Sequence, residues 1–243
     1  MRTTGGQSVS VVIPVYNCAR YLGAAIRSAL TQTEPPGEIL VVDDGSTDGS
    51  AAVARGFGAP VHCLSQPHAG LSAALNRGIE RAHGTFLAFL DADDLWMEAK
   101  LARQLDALAA DPALDAVFGH VEQFVSPELD PAVGPALSDG MRLAPGHLAG
   151  TLLIRAAAFH RVGPFDTRWQ IGNFIDWYLR AQEAGLRDTM LPEVLLRRRL
   201  HADNMGIRER ASRRAYAHIL KHALDRRRSL AGAGAAKPNA PSL

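Results

Sequence analysis

Between residues 89 and 96 the chain reads FLDADDLW, where an apolar run ends and Asp91, Asp93 and Asp94 follow within four positions. In an extended segment, residues two apart share a face, so Asp91 and Asp93 point the same way with the small Ala92 between them. Two ionised carboxylates side by side repel, and an apolar strand end solvates them poorly. A divalent cation removes that conflict. Hard oxygen ligands suit Mn2+ or Mg2+, and a cation held by only one or two carboxylates keeps open positions for diphosphate oxygens. Asp94 is expected to cap the helix that begins near Met97. Loop and capping roles for all three are the competing reading, because Asp-x-Asp alone is a short, common pattern.

The elements that must position these groups alternate. Strand-length apolar runs cover Val9–Val15, Glu38–Asp43, Val61–Ser65 and 85–90, and amphipathic helical segments cover 18–32, 50–57 and 70–82. On one face of the first helix lie Leu22, Ile26 and Ala29, and on one face of the third lie Leu71, Leu75 and Ile79. Such alternation predicts an α/β fold with a mostly parallel, Rossmann-like sheet flanked by helices. Ligands of these sheets sit beyond the strand C-termini. There the chain carries PVYN, DDGSTDGS, QPHAG and DADD in turn.

Further along, the pattern predicts a helix over 97–110, a strand over Ala116–Val125, and a long loop over 126–145 that contains Pro127, Pro131, Pro135 and Pro145. A strand over 150–154, a short helix over Ala156–Val162, a GPFD turn, a helix over 175–184 and a strand over 194–200 follow. Residues 208–228 read as a basic amphipathic helix packing Ile207, Tyr216, Ile219 and Leu220 inward, with contact to an anionic membrane as the alternative. The Ala-, Gly- and Pro-rich residues 230–243 are expected not to fold.

At 243 residues the chain can bury the core of one large domain. Its 26 basic and 25 acidic residues leave a formal net charge of +1, which gives no electrostatic reason to expect a nucleic-acid polymer as partner. The N-terminus lacks a signal-peptide pattern, and no run approaches the roughly 20 apolar residues of a membrane span, so a cytoplasmic protein is the expectation, with the inner membrane face as a peripheral alternative. Cys18 and Cys63 sit in a helix start and a strand, and read as reduced packing residues.

In order and spacing, PVYN, VVDDGSTDGS, GLSAALNRGI and FLDADD, followed by VGPFD and RLHADN, resemble the family-2 glycosyltransferases of the GT-A fold over roughly residues 8–204. The resemblance implies one GT-A domain over 8–205, with a nucleotide-binding half (8–110) and an acceptor half (111–205), then the basic helix (206–229) and a tail (230–243). It implies transfer of a sugar from a nucleotide-diphosphate donor, a UDP-sugar by preference, to a glycan, lipid-linked glycan, peptide or small molecule. Pro14, Val15 and Tyr16 would then line the base and Asp44 would hydrogen-bond it, with Asn76 as a further donor contact. Asp91, beside Ala92, would approach the ribose or a metal-bound water, and Asp93 would hold the metal, with His201 in reach of the metal or the diphosphate. Arg197, Arg198 and Arg199 could stabilise the leaving diphosphate, although only alternate strand residues can face one site.

Three departures from the family pattern bear on mechanism. Cys18 stands where Glu is common, and Leu75 where Arg is common beside Asn76. The acidic pair that usually supplies the catalytic base aligns with Asn173 and Phe174, neither of which can take a proton at neutral pH. Asp176 is the nearest carboxylate and the candidate base. Its competing reading is an ion pair with Arg180 one turn later. The alternatives are a base supplied by the 126–145 loop, an acceptor such as a thiol that ionises easily, a non-catalytic nucleotide-sugar binder, and a nucleotidyltransferase on a similar fold. Against the last, the first strand is followed by no Gly-rich, basic triphosphate loop.

Overall fold

The computed structural model describes residues 8–127, 143–201, 204 and 213–234. Four parallel strands form its first half: β1 (Val9–Val15), β2 (Glu38–Asp43), β3 (Val61–Ser65) and β4 (Phe86–Phe89), in the spatial order β3-β2-β1-β4. Helices α1 (Ala19–Leu30), α2 (Ser50–Arg55) and α3 (Leu71–Arg81) connect them. Because strand side chains alternate, β1 feeds both faces of the sheet. Val11 and Ile13 pack with Leu22 and Ile26 of α1 and with Leu101 and Leu108 of α4 (Lys100–Ala110). On the other face Val12 packs with Leu75 and Ile79 of α3. Phe159 of α5 (Ala156–Val162) and Trp177 of α6 (Asn173–Glu183) extend that second layer.

Beyond β4 the sheet becomes mixed. β8 (Leu153–Arg155) pairs antiparallel with β4 and with β6 (Ala116–Val125), which pairs parallel with β9 (Asp188–Leu200). The two-residue β5 (Leu95–Trp96) closes the far edge against β9, and β7 (Leu143–Gly146) pairs with β6. Strand β9 starts at Asp188, six residues before the expected position, and register shifts between Phe118 and Val121 of β6 accompany it. Pro192 and Glu193 are exposed in this irregular stretch, where a proline costs no ladder bond.

Two expectations near the carboxylates are corrected. Helix α4 begins at Lys100 rather than near Met97, because Leu95–Trp96 pairs with β9 before the chain can coil. Asp94 therefore does not cap it; its Oδ1 instead accepts the Arg199 backbone N–H at 2.8 Å. Of the 126–145 loop, Leu143–Gly146 form β7, and 128–142 lie outside the described residues. Helix α7 (Arg213–Gly234) runs into the segment expected not to fold, while 205–212 and 235–243 lie outside the described residues.

Candidate active site at the strand ends

The parallel strands end in register, Val15 beside Asp43 and Asp43 beside Ser65, so the three loops that follow meet along one edge. Polar side chains brace them. Asn17, in the left-handed region at φ 49°, accepts the Thr47 N–H through Oδ1 and donates its own N–H to Ser46 Oγ. Asp48 accepts the Ala19 N–H at the start of α1. Asp44 is 3% exposed, and its Oδ1 accepts from Gln66 Nε2 (2.7 Å) and Ala69 N (2.8 Å). Its Oδ2 accepts from Gly70 N (2.8 Å) and lies 2.9 Å from His68 Nδ1. Both carboxylate oxygens thus hold the 66–70 loop in place. That loop sets His68 against Tyr16, with ring centroids 4.1 Å apart and planes 24° apart. Tyr16 remains 49% exposed at the end of β1, whereas Pro14 and Val15 are buried.

Pairing of β5 with β9 sets Leu95 opposite Arg197, which carries the RLHADN segment alongside DADD. His201 Nε2 lies 2.9 Å from Asp93 Oδ2, and Asn204 Nδ2 donates to the same oxygen at 3.1 Å. Asn204 Oδ1 accepts the His201 N–H, so a short turn fixes the histidine. Arg199 is buried; its Nε donates to the Asp93 carbonyl, and its guanidinium stacks over Tyr21 and Phe124 at 4.8 and 4.6 Å. Arg197 pairs with Glu122 at 2.9 Å. Of the three arginines, Arg198 is the one whose charge acts on Asp91 and Asp94.

The carboxylates strain one another as their spacing implies. Burial, then the charges of Asp93 and Asp91, push the Asp94 carboxyl well above the usual range. Asp91 keeps a solvent-accessible side chain, yet the protein packed around its carboxyl and the Asp93 charge push it up to about 6, against the pull of Arg198. Ala92 is buried between them. Such crowding is the condition a cation relieves. Among the described residues no three His, Cys, Asp or Glu form a closed metal cage. One carboxylate and one imidazole in mutual contact suit an open site for Mn2+ or Mg2+, in which diphosphate and water oxygens complete the shell. Cys18 is near enough to feel Asp93, but burial first and then the Asp93 and Asp48 charges push its thiol up to about 12. It is no nucleophile at neutral pH.

The remaining expected residues lie elsewhere. Asn76 forms a reciprocal pair with the Phe165 backbone, donating to its O at 2.8 Å and accepting its N–H at 2.9 Å, and so staples α3 to the GPFD turn. Leu75 is buried in the core. Asp176 is 2% exposed, with Oδ2 held by Arg180 Nε at 2.9 Å and Oδ1 by Arg226 Nη1 at 3.3 Å. The competing ion pair with Arg180 is present, joined by Arg226, so service as a base would require the carboxylate to leave both arginines. Sequence reasoning missed Asn17, Asp48, Gln66 and Asn204 as the residues that brace the site. Their signal is Asn, Asp and Gln concentrated at strand ends, where side chains replace missing backbone partners.

An open α/β sheet with polar groups gathered at one set of strand ends is the arrangement in which ligands of this fold class sit, and comparison with known proteins identifies the family. Residues 10–162 match the family Glycosyl transferase family 2, and the chain belongs to that family. An uncharacterized glycosyltransferase of Rickettsia typhi is 31% identical over 213 residues, covering 79% of this chain and 64% of the relative. The glycosyltransferase AglE of Haloferax volcanii is 32% identical over 200 residues, covering 77% of this chain and 65% of the relative. A crystal structure of S. aureus TarS in complex with UDP superposes with TM-score 0.62 at 18% identity, over 80% of this chain and 61% of that one. The mannosyltransferase PcManGT of Pyrobaculum calidifontis, in complex with GDP-Man and Mn2+, gives 0.61 at 24% identity, over 83% and 59%. The chain spans less than two thirds of the length of each of these proteins. The two solved structures share this chain's GT-A architecture.

Proposed function

We propose that this chain transfers a sugar from a nucleoside-diphosphate donor, a UDP-sugar by preference, with a divalent cation and inversion at the anomeric carbon. The observation that carries the reading is the contact of Asp93 Oδ2 with His201 Nε2 at 2.9 Å beside two further crowded carboxylates. Asp93 and His201 would hold Mn2+ or Mg2+, which when bound supplies the charge that steadies the departing diphosphate. Arg198 adds a second positive group to that end of the site. Tyr16 and His68, already stacked, would flank the base, with Pro14 and Val15 beneath it. Asp44 sets the position of His68 and would turn toward the base only by releasing a loop N–H. Asp91 and Ala92 would meet the ribose. Asn76 would act through the GPFD turn that it staples. Structural relatives in complex with UDP, UDP-GlcNAc and GDP-Man with Mn2+ support the donor class.

The engagement of Asp176 by two arginines favours an acceptor that ionises readily, so that less basic assistance is needed for the displacement. The same observation keeps a second reading, a nucleotide-sugar binder without transfer. A thermal-shift panel of nucleotide sugars with and without Mn2+, followed by assay for nucleoside diphosphate release, separates the two. A matching donor at roughly a hundredfold excess over Kd stabilises the fold by about 2.7 kcal/mol. The proposal expects that shift to require the metal and slow donor hydrolysis to accompany it. A shift without diphosphate release against any acceptor selects the binder, and no shift with any donor contradicts both.

A further inference from the structure

We propose that α7 docks this protein onto an anionic lipid surface. Among its described side chains, the helix buries one face. Ile219 and Ala223 are inward, and Arg226 reaches Asp176 and Glu183. Tyr216 and Leu220, expected from the sequence to pack inward, are instead 39% and 53% exposed, and Leu224 is 52% exposed. These three recur every fourth residue, a stripe about 12 Å long on the helix surface. The helix cannot roll to hide them. A Cβ at Gly172 would stand 2.7 Å from Ile219 Cδ1 and 3.2 Å from Tyr216 Cε1, so α7 is seated against the start of α6 in one orientation. Ile175, on the first turn of α6, is itself 40% exposed.

Charge identifies the occupant. Residues 213–234 hold six of the chain's 26 basic residues and one of its 25 acids, so the remainder of the chain carries a net −4. Lys221, Arg227 and Arg228 are exposed beside the stripe, with Arg227 3.5 Å from Glu183 and Arg228 4.0 Å from Asp225. A second copy of the chain would bring like charges together across a two-fold axis, and a nucleic-acid backbone has no use for the leucines. An anionic bilayer satisfies both features at once, with the apolar side chains entering the interface and the cations meeting lipid phosphates. Among the described residues no helix is long and apolar enough to cross a membrane, so the contact is interfacial.

Co-sedimentation of the full chain with vesicles of phosphatidylcholine alone, and of phosphatidylcholine with phosphatidylglycerol, tests this without any sugar donor. The expected result is binding to the anionic vesicles at least about tenfold tighter than to the neutral ones, weakened by salt. Leu220→Glu/Leu224→Glu and Lys221→Glu/Arg228→Glu change exposed positions, so circular dichroism should stay unaltered while each lowers anionic binding by about tenfold or more. Absence of binding, binding by both variants as tight as that of the native chain, or a stripe-dependent dimer formed without vesicles would overturn the proposal.

Discussion

The two acids at the centre of this account differ in what surrounds them. Among the described residues the Asp93 side chain meets a histidine and an amide, whereas Asp176 is enclosed by Arg180 and Arg226. Asp176→Asn should therefore lower stability by about 2 kcal/mol, less than a fully buried pair because both arginines are partly exposed. Donor binding per folded molecule should be unchanged, which urea unfolding and calorimetry would check together. Asp91 supplies a pH dependence. Its carboxyl, pushed up to about 6, is ionised at neutral pH and takes a proton as pH falls through that value. Metal-dependent nucleotide binding should decline over the same window, and Asp91→Asn should remove that step from the binding profile. The sequence made the Asp91–Asp93 conflict legible through spacing alone, and the i, i+4 spacing already offered the Asp176–Arg180 pair. What it could not yield was the second arginine, fifty residues away on α7, or the bonds that tie Asp44 to the 66–70 loop and Asn76 to the GPFD turn.

At the scale of elements, the bounds of β1, β2, β3 and β6 coincide with the apolar runs; for β1 and β2, buried parallel strands need both faces apolar and stop where polar turn residues begin. The acceptor half was less legible. Strand β5 is only two residues long, and β9 carries an exposed Pro192 with register shifts opposite, so tertiary pairing rather than local pattern sets both. Helix α3 lies close on the sheet at Gly78, where a Cβ would sit 2.4 Å from Val12 Cγ1. Gly78→Ala should thus destabilise by about 1–2 kcal/mol despite its better helix propensity, measurable as a lower denaturant midpoint. Helix α4 buries Lys100 completely, with its amine 2.8 Å from Gln104 Oε1 and 4.2 Å from the Trp96 ring centroid, and burial holds its pKa well below the usual value. The unfolded chain keeps that proton up to about pH 10.4, so lowering the pH from there favours unfolding until the folded amine also protonates. Relative to Lys100→Met, the native chain should gain stability as pH is raised from 8 toward about 10. A parallel pH dependence for the two would count against a neutral buried amine.

Across the whole molecule, one sheet places polar loops at the ends of β1–β4 and returns β9 along β5, so that the last part of the domain meets the first part's strand ends. His201 reaches Asp93 across 108 residues of chain. That convergence was legible only through resemblance to the family, since no local rule links a loop histidine to a distant strand end. The proposed metal site therefore exists only in the folded chain, and metal binding should couple to folding. The most direct test is electron paramagnetic resonance titration of Mn2+ in the presence of UDP, in which the signal of free Mn2+ disappears as the ion is bound. The account predicts one tight site in the native protein that requires UDP, with Asp93→Asn weakening it by at least about tenfold and His201→Ala also weakening it. Equal Mn2+ uptake by the native protein and both variants, or none by the native protein with UDP present, would contradict it.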